Sequence, residues 1–176
     1  MRRQQAIDWK VLHAMRDGVQ SRSFFEMTAP SETSIITCPN CGKRNRVRLV
    51  ADAVPYCGAC GKPLPWMMDA DSASFHAAVE ESPLPVLVDF WAPWCGPCRI
   101  VEPALEQLSR ELAGRLKIIR INSDLSPDLS QRFNILGIPT LILFEGGQVR
   151  DRITGAQNVT ALRRWLGSQL TSSRAG

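Results

Sequence analysis

The sequence predicts an α/β fold, a central mixed sheet flanked by helices, preceded by a small cysteine-rich module. Three observations carry this. Over residues 67–176, apolar runs of strand character alternate with segments of helical periodicity. One Cys-x-x-Cys pair, Cys95/Cys98, ends an apolar run and opens one of those helical segments. Two further pairs, Cys38/Cys41 and Cys57/Cys60, sit in a short basic stretch with too few apolar side chains for a core of its own.

The elements follow in order. Asp71-Ser72 caps a first helix whose inner face carries Phe75, Ala78 and Val79. Val86–Trp91 is a near-continuous apolar run, as expected of a central strand covered on both faces. A longer helix begins near Gly96, with Ile100, Val101, Ala104, Leu105, Leu108 and Leu112 on one side. Pro103 removes a backbone donor inside it and should kink it. Lys117–Asn122 is the next strand, and Ser126-Pro127 reads as an N-cap followed by proline at the first helical position. Leu141–Phe144 and Gln148–Ile153 flank Gly146-Gly147 as a hairpin. Leu162, Trp165, Leu166 and Leu170 mark an amphipathic closing helix. Strands separated by helices should be parallel, and the hairpin should add an antiparallel edge.

Three domains are expected: an N-terminal extension over 1–33, a module over 34–66, and the α/β domain over 67–176. The extension has helical spacing at Ile7, Val11 and Met15; an over-long start, with Met27 as first residue, is the alternative. The formal net charge of +4 is uneven: residues 1–66 hold 10 Lys+Arg against 5 Asp+Glu, and residues 67–176 hold 11 against 12. The excess gathers at Lys43, Arg44, Arg46 and Arg48, a pattern usually no more than a solvated face. No run approaches the roughly 20 apolar residues of a membrane span, and the N-terminus lacks a secretory apolar stretch. A cytoplasmic, membrane-free protein is therefore expected, in a compartment where paired cysteines are catalytic or metal-bound rather than structural disulfides.

Cys95 precedes a helix, where unpaired N–H groups and the helix dipole favour its thiolate. Cys98 lies close enough to close a disulfide. This pattern makes Cys95 a nucleophile and Cys98 its resolving thiol, with Gly96 and Pro97 keeping the turn tight and uncharged. Asp89, a carboxylate inside an apolar strand, should be buried and raised toward neutrality, which suits proton transfer. The plainer alternative is a structural aspartate paired with a cation such as Arg120.

The segments Val88-Asp89-Phe90-Trp91-Ala92-Pro93-Trp94-Cys95-Gly96-Pro97-Cys98, then Gly137-Ile138-Pro139-Thr140, then Gly155, resemble the thioredoxin family in order and spacing. The resemblance implies a thioredoxin fold and a cis Pro139 facing the active disulfide. It also implies an apolar substrate groove lined by Trp94, Ile138, Thr154 and Gly155. Arg120 stands where many thioredoxins carry lysine; arginine cannot give up its proton, so only charge pairing survives there. The implied activity is protein-disulfide reduction by a monomer with no bound flavin or nicotinamide. An NADPH-dependent thioredoxin reductase would regenerate it, and oxidised proteins would be its substrates.

The remaining cysteines, each pair followed by glycine and separated by 15 residues, fit one tetrahedral zinc ion held by Cys38, Cys41, Cys57 and Cys60. Two disulfides, a second redox pair or an iron–sulfur centre are the alternatives. Four protein ligands leave no open position, so such a zinc is structural. The arrangement resembles zinc-binding bacterial thioredoxins. The ribbon either stabilises the chain or acts as a redox-sensitive switch. No nucleic-acid partner is expected on the main reading. The alternative is a redox sensor whose basic zinc ribbon binds nucleic acid or a regulatory protein, and a disulfide-forming oxidase is a third possibility.

Overall fold

A two-stranded ribbon and a five-stranded mixed sheet build the fold in the computed structural model, which describes residues 33–48 and 54–172. The expected features at Ile7, Val11, Met15 and Met27 lie outside the described residues. Strands β1 (Thr33–Thr37) and β2 (Arg44–Arg48) pair antiparallel around the first Cys-x-x-Cys turn. The main sheet contains β3 (Met67–Ala70), β4 (Val86–Trp91), β5 (Lys117–Asn122), β6 (Thr140–Glu145) and β7 (Gln148–Thr154), in the spatial order β3-β5-β4-β6-β7. β3, β5 and β4 are mutually parallel neighbours, whereas β6 and β7 run antiparallel. The helices are α1 (His76–Glu80, wound as a π-helix), α2 (Cys98–Glu111), α3 (Pro127–Arg132) and α4 (Val159–Ser172). This is the thioredoxin fold.

Alternation along the strands divides the core in two. Val86, Val88, Phe90, Ile119, Ile121, Ile142 and Phe144 face one side, with Phe75, Val79, Leu129 and Phe133 packed over them. Leu87, Ile118, Leu141 and Leu143 face the other, under Val101, Leu105 and Leu108 of α2 and Leu162 and Leu166 of α4. By the same period, Asp89 and Arg120 belong to the α2 side of the sheet. That placement positions the site.

Strands β1, β2 and β3 carry no strand pattern strong enough to foresee. Each is only four or five residues long, and β2 is three-fifths arginine. They exist because of what they pair with: β3 docks on β5 as a parallel edge, and β1 and β2 are held by the cysteine turns at their ends. Three local expectations need correction. The regular helix α2 starts at Cys98 rather than near Gly96, because Gly96 and Pro97 form a turn whose carbonyls accept from the N–H groups of Arg99 and Ile100. Ile100 is 64% exposed and leaves the apolar stripe, since it sits about 100° around the helix from Val101. Ser126 and Pro127 do take the N-cap and first positions of α3 as expected, although the buried Ser126 hydroxyl makes no cap bond. Asp71 and Ser72 do not cap α1: its N-cap position is Phe75, with no side-chain cap bond, and Asp71 instead closes the turn ahead of it by accepting from the Ser74 N–H at 3.0 Å.

The cysteine-rich segment shares the core of the sheet. Cys38, Val47, Cys57, Leu64 and Trp66 are buried in the same cluster as Phe75 and Val88. Lys117, fully buried, ties this junction together: its Nζ donates to the Ala78 carbonyl at 2.6 Å and lies 4.4 Å from the centre of the Trp66 ring. Burial lowers that ammonium to about 8.

Candidate active site and metal centre

β4 ends at Trp91 and delivers the chain to Cys95, which is joined to Cys98 by a disulfide with Cα atoms 5.3 Å apart. Both cysteines are nearly buried, in a small cluster with Ala92, Trp91 and Ile138. The Cys98 N–H donates to the Cys95 sulfur at 3.2 Å, one of the free donors at the start of α2. A donor in that position favours negative charge on Cys95 when the bond is reduced.

Asp89 lies two residues before the end of β4 and is 2% exposed. Burial raises its carboxyl to about 7, against the partly offsetting charge of Arg120, whose Nε stands 3.7 Å from Asp89 Oδ2. The expected burial and the expected neighbouring cation are both present, and the carboxyl stays raised despite that cation. The folded value lies above the ordinary 3.8, so between about 4 and 7 the folded protein retains a proton that the unfolded chain has lost. Stability contributed by this group is present below that window and falls as pH rises through it, by on the order of 4 kcal/mol. Asp89→Asn should remove the slope. The variant should match wild type in urea unfolding at pH 4 and exceed it at pH 8; parallel profiles for the two proteins would contradict the assignment.

Around the disulfide, Trp94 is 68% exposed, with its Nε1 donating to Asp124 Oδ2 at 2.8 Å. The Ile138–Pro139 peptide is cis. Thr140 Oγ1 donates to the Gly137 carbonyl at 2.6 Å, and Gly155 N–H donates to the Pro139 carbonyl at 2.8 Å. Thr154, at the end of β7, brings its hydroxyl within 3.3 Å of that of Thr140. An open cavity of about 390 Å³ is lined by Trp94, Ile135, Leu136, Gly137 and Ile138, with Pro127 and two serines. Trp94 and Ile138 line this cavity directly, whereas Thr154 and Gly155 lie outside its lining and contact Thr140 and Pro139 of the segment bearing the cis peptide.

The four other cysteines converge. Their sulfurs all lie within 4.8 Å of one another, with Cys38 to Cys60 at 3.7 Å and Cys41 to Cys57 at 3.6 Å. These are free thiols. Four thiolates around a tetrahedral ion with bonds of about 2.3 Å would stand about 3.8 Å apart, so the donor set fits a metal ion of zinc's size. The two turns are built alike. Cys38 N–H donates to Lys43 O and Gly42 N–H to Cys38 O; Cys57 N–H donates to Lys62 O and Gly61 N–H to Cys57 O, all at 2.8–2.9 Å. Gly42 and Gly61 take φ of 73° and 67°, the left-handed conformation that closes each knuckle. Backbone N–H groups of Ala59 and Cys60 hold the Cys57 thiol down to about 6.

Four contributors escaped the sequence pattern. Asn45 donates to the Lys43 carbonyl of the first knuckle at 2.8 Å and accepts from the Gly58 N–H of the second at 3.0 Å, with its amide 3.6 Å from Cys57 Sγ, so one side chain bridges both knuckles. Asp124 anchors Trp94, Leu136 extends the groove while 89% exposed, and Glu102 bonds Arg120. None lies in a motif. Glu102 carried the one legible signal, an acid placed immediately after buried Val101 on the apolar flank of α2.

A disulfide at the head of a helix, on a sheet of this topology, defines a thiol–disulfide oxidoreductase. A family model for thioredoxin matches residues 66–168, and the chain belongs to the thioredoxin family. Thioredoxin from Synechocystis is 47% identical over 94 residues, spanning 53% of this chain and 88% of that protein. Thioredoxin from Rickettsia felis is 41% identical over 98 residues, 56% of this chain and 93% of its own length. The bifunctional thioredoxin reductase/thioredoxin of Mycobacterium leprae is 46% identical over 99 residues, 56% of this chain and 22% of that protein. The four-cysteine cluster lies ahead of the matched region. Among the described residues no helix is long and apolar enough to cross a membrane.

Proposed function

We propose that the chain is a protein-disulfide reductase whose redox domain over 67–176 is preceded by a structural zinc ribbon over 34–66. The Cys95–Cys98 disulfide, backed by buried Asp89 and opening beside an apolar groove, is the observation that carries this reading. In the reduced protein the Cys95 thiolate attacks one sulfur of a substrate disulfide. That bond breaks, one substrate thiolate leaves, and a mixed disulfide joins Cys95 to the other sulfur. Asp89 accepts the Cys98 proton; Cys98 then attacks Cys95 Sγ, expels the second substrate thiolate and closes the disulfide. Two electrons reach the substrate. Trp94, Gly96, Pro97, Ile138, Pro139, Thr154 and Gly155 form the surface that receives an extended peptide. An NADPH-dependent thioredoxin reductase restores the dithiol, a pairing that the fused M. leprae relative carries in its own name. The setting is the cytoplasm, and the working unit is a monomer.

Zinc is the proposed occupant of the Cys38, Cys41, Cys57 and Cys60 centre, with thiolate donors at tetrahedral spacing as the support. When bound, it supplies a cross-link in place of a larger core. Cys41, exposed, is the ligand an oxidant reaches first, as a redox-sensitive site requires.

Steady NADPH oxidation is expected when the protein is combined with thioredoxin reductase and insulin. Absence of turnover from reduced, zinc-loaded protein would overturn the reading and favour an oxidase. A second reading, a redox sensor that binds nucleic acid, has one feature in its favour: Arg44, Arg46 and Arg48 alternate along β2 and are all exposed. Oligonucleotide binding that survives physiological salt would support it.

A further inference from the structure

Arg120 faces three carboxyls with a single positive charge. In the sheet register it stands between Asp69 of β3 and Asp89 of β4, so all three side chains share one row on the α2 face. Glu102 comes down onto the same guanidinium from α2. Its Oε1 accepts from Arg120 Nη1 at 2.6 Å, a full charge-assisted hydrogen bond. Asp89 receives no such bond: the nearest guanidinium nitrogen, Nε, is 3.7 Å from Oδ2, beyond hydrogen-bond range. Asp89 Oδ1 and Arg120 Nε are both buried without a hydrogen-bond partner. The Trp91 ring, 4.2 Å from Arg120 Cζ, stacks against the cation and fixes its plane. One guanidinium is thus held by glutamate and tryptophan just out of reach of the aspartate beside it.

We propose that Glu102 is a positioning residue for the redox site: by engaging Arg120 it keeps the guanidinium from closing onto Asp89, leaving the buried carboxyl to exchange its proton with the neighbouring cysteine pair. The proposal rests on the reading of Asp89 as the proton acceptor for Cys98. The sequence supports the geometry, because Glu102 follows Cys98 by four residues and so lies one turn along the same face of α2. The groups around Asp89 oppose one another. Burial raises its carboxyl most, the Arg120 charge and its residual side-chain contact lower it, and the charges of Glu102 on α2 and Asp69 on β3 raise it. β6 presents only Leu141 at the matching register position. Glu102, Arg120 and Asp69 also line a cleft of about 330 Å³ that Ile36, Thr37 and Pro39 of the ribbon line as well, so the two outer carboxyls face an open cleft.

The full-length chain with Glu102→Gln tests this. Glu102 has 41% of its side chain exposed, so the substitution leaves packing intact. The Asp89 carboxyl is titrated through its ¹³Cγ resonance in the oxidised protein, and the pH profile of single-turnover disulfide reduction is recorded beside it. With Glu102 neutral, the charge-assisted bond that holds the guanidinium weakens to an ordinary one and its hold against Asp89 is relaxed, so the Asp89 midpoint should fall by about one pH unit, a tenfold drop in proton affinity. The rate profile should move with it. A midpoint that is unchanged or raised overturns the proposal. A midpoint that falls while the rate profile stays in place upholds the hold of Glu102 on Asp89 and overturns the proton-acceptor role instead.

Discussion

Replacing Cys95 with serine is expected to abolish insulin reduction, lowering NADPH-coupled turnover at least about 10³-fold. A hydroxyl at this position accepts the same Cys98 N–H but cannot form a covalent bond to a substrate sulfur, so the first step has no route. The change is small and buried among Ala92, Trp91 and Ile138, and the sheet beneath is untouched. Circular dichroism should therefore match wild type. Turnover above a tenth of the wild-type rate in a correctly folded variant would show that another thiol carries the reaction.

Loss of the metal centre should be the largest structural effect. Wild-type protein purified under reducing conditions should hold one zinc per chain, and Cys57→Ser should hold almost none. Because Cys57 is buried in one cluster with Leu64, Trp66 and Phe75, the loss reaches the main core rather than ending at the ribbon. Structural zinc contributes about 10 kcal/mol or more to isolated zinc modules, so even a fraction of that should lower Tm by about 10 °C. Mild peroxide should release zinc from wild type through exposed Cys41. Equal melting temperatures for the two proteins would contradict a structural role, and full zinc retention under peroxide would contradict a redox-sensitive one.

Much of this was legible in the chain because the informative signals were local. The apolar run Val86–Trp91 marked the central strand and the burial of Asp89 together, since a carboxylate within such a run has nowhere else to go. The Cys-Pro-Asn-Cys-Gly and Cys-Gly-Ala-Cys-Gly repeats marked two like segments, each closed by glycine, and the two turns are built alike. What stayed hidden depends on contacts distant in sequence. β3 is a four-residue strand made by its pairing with β5, and Asn45 bridges two knuckles through an amide that no spacing rule identifies. Ile100 misled because apolar character alone does not say which side of a helix a residue takes at its first turn. The bond between Glu102 and Arg120 spans 18 residues, and it decides how closely the cation beside Asp89 can approach.

The most direct examination of the central claim is to mix reduced Cys98→Ser protein with oxidised insulin and map the product by mass spectrometry. With the resolving thiol removed, the reaction should halt after its first step, leaving an insulin chain disulfide-bonded to Cys95 alone. No adduct, or an adduct carried by Cys41 or another ribbon cysteine, would contradict the assignment of Cys95 as the attacking thiol.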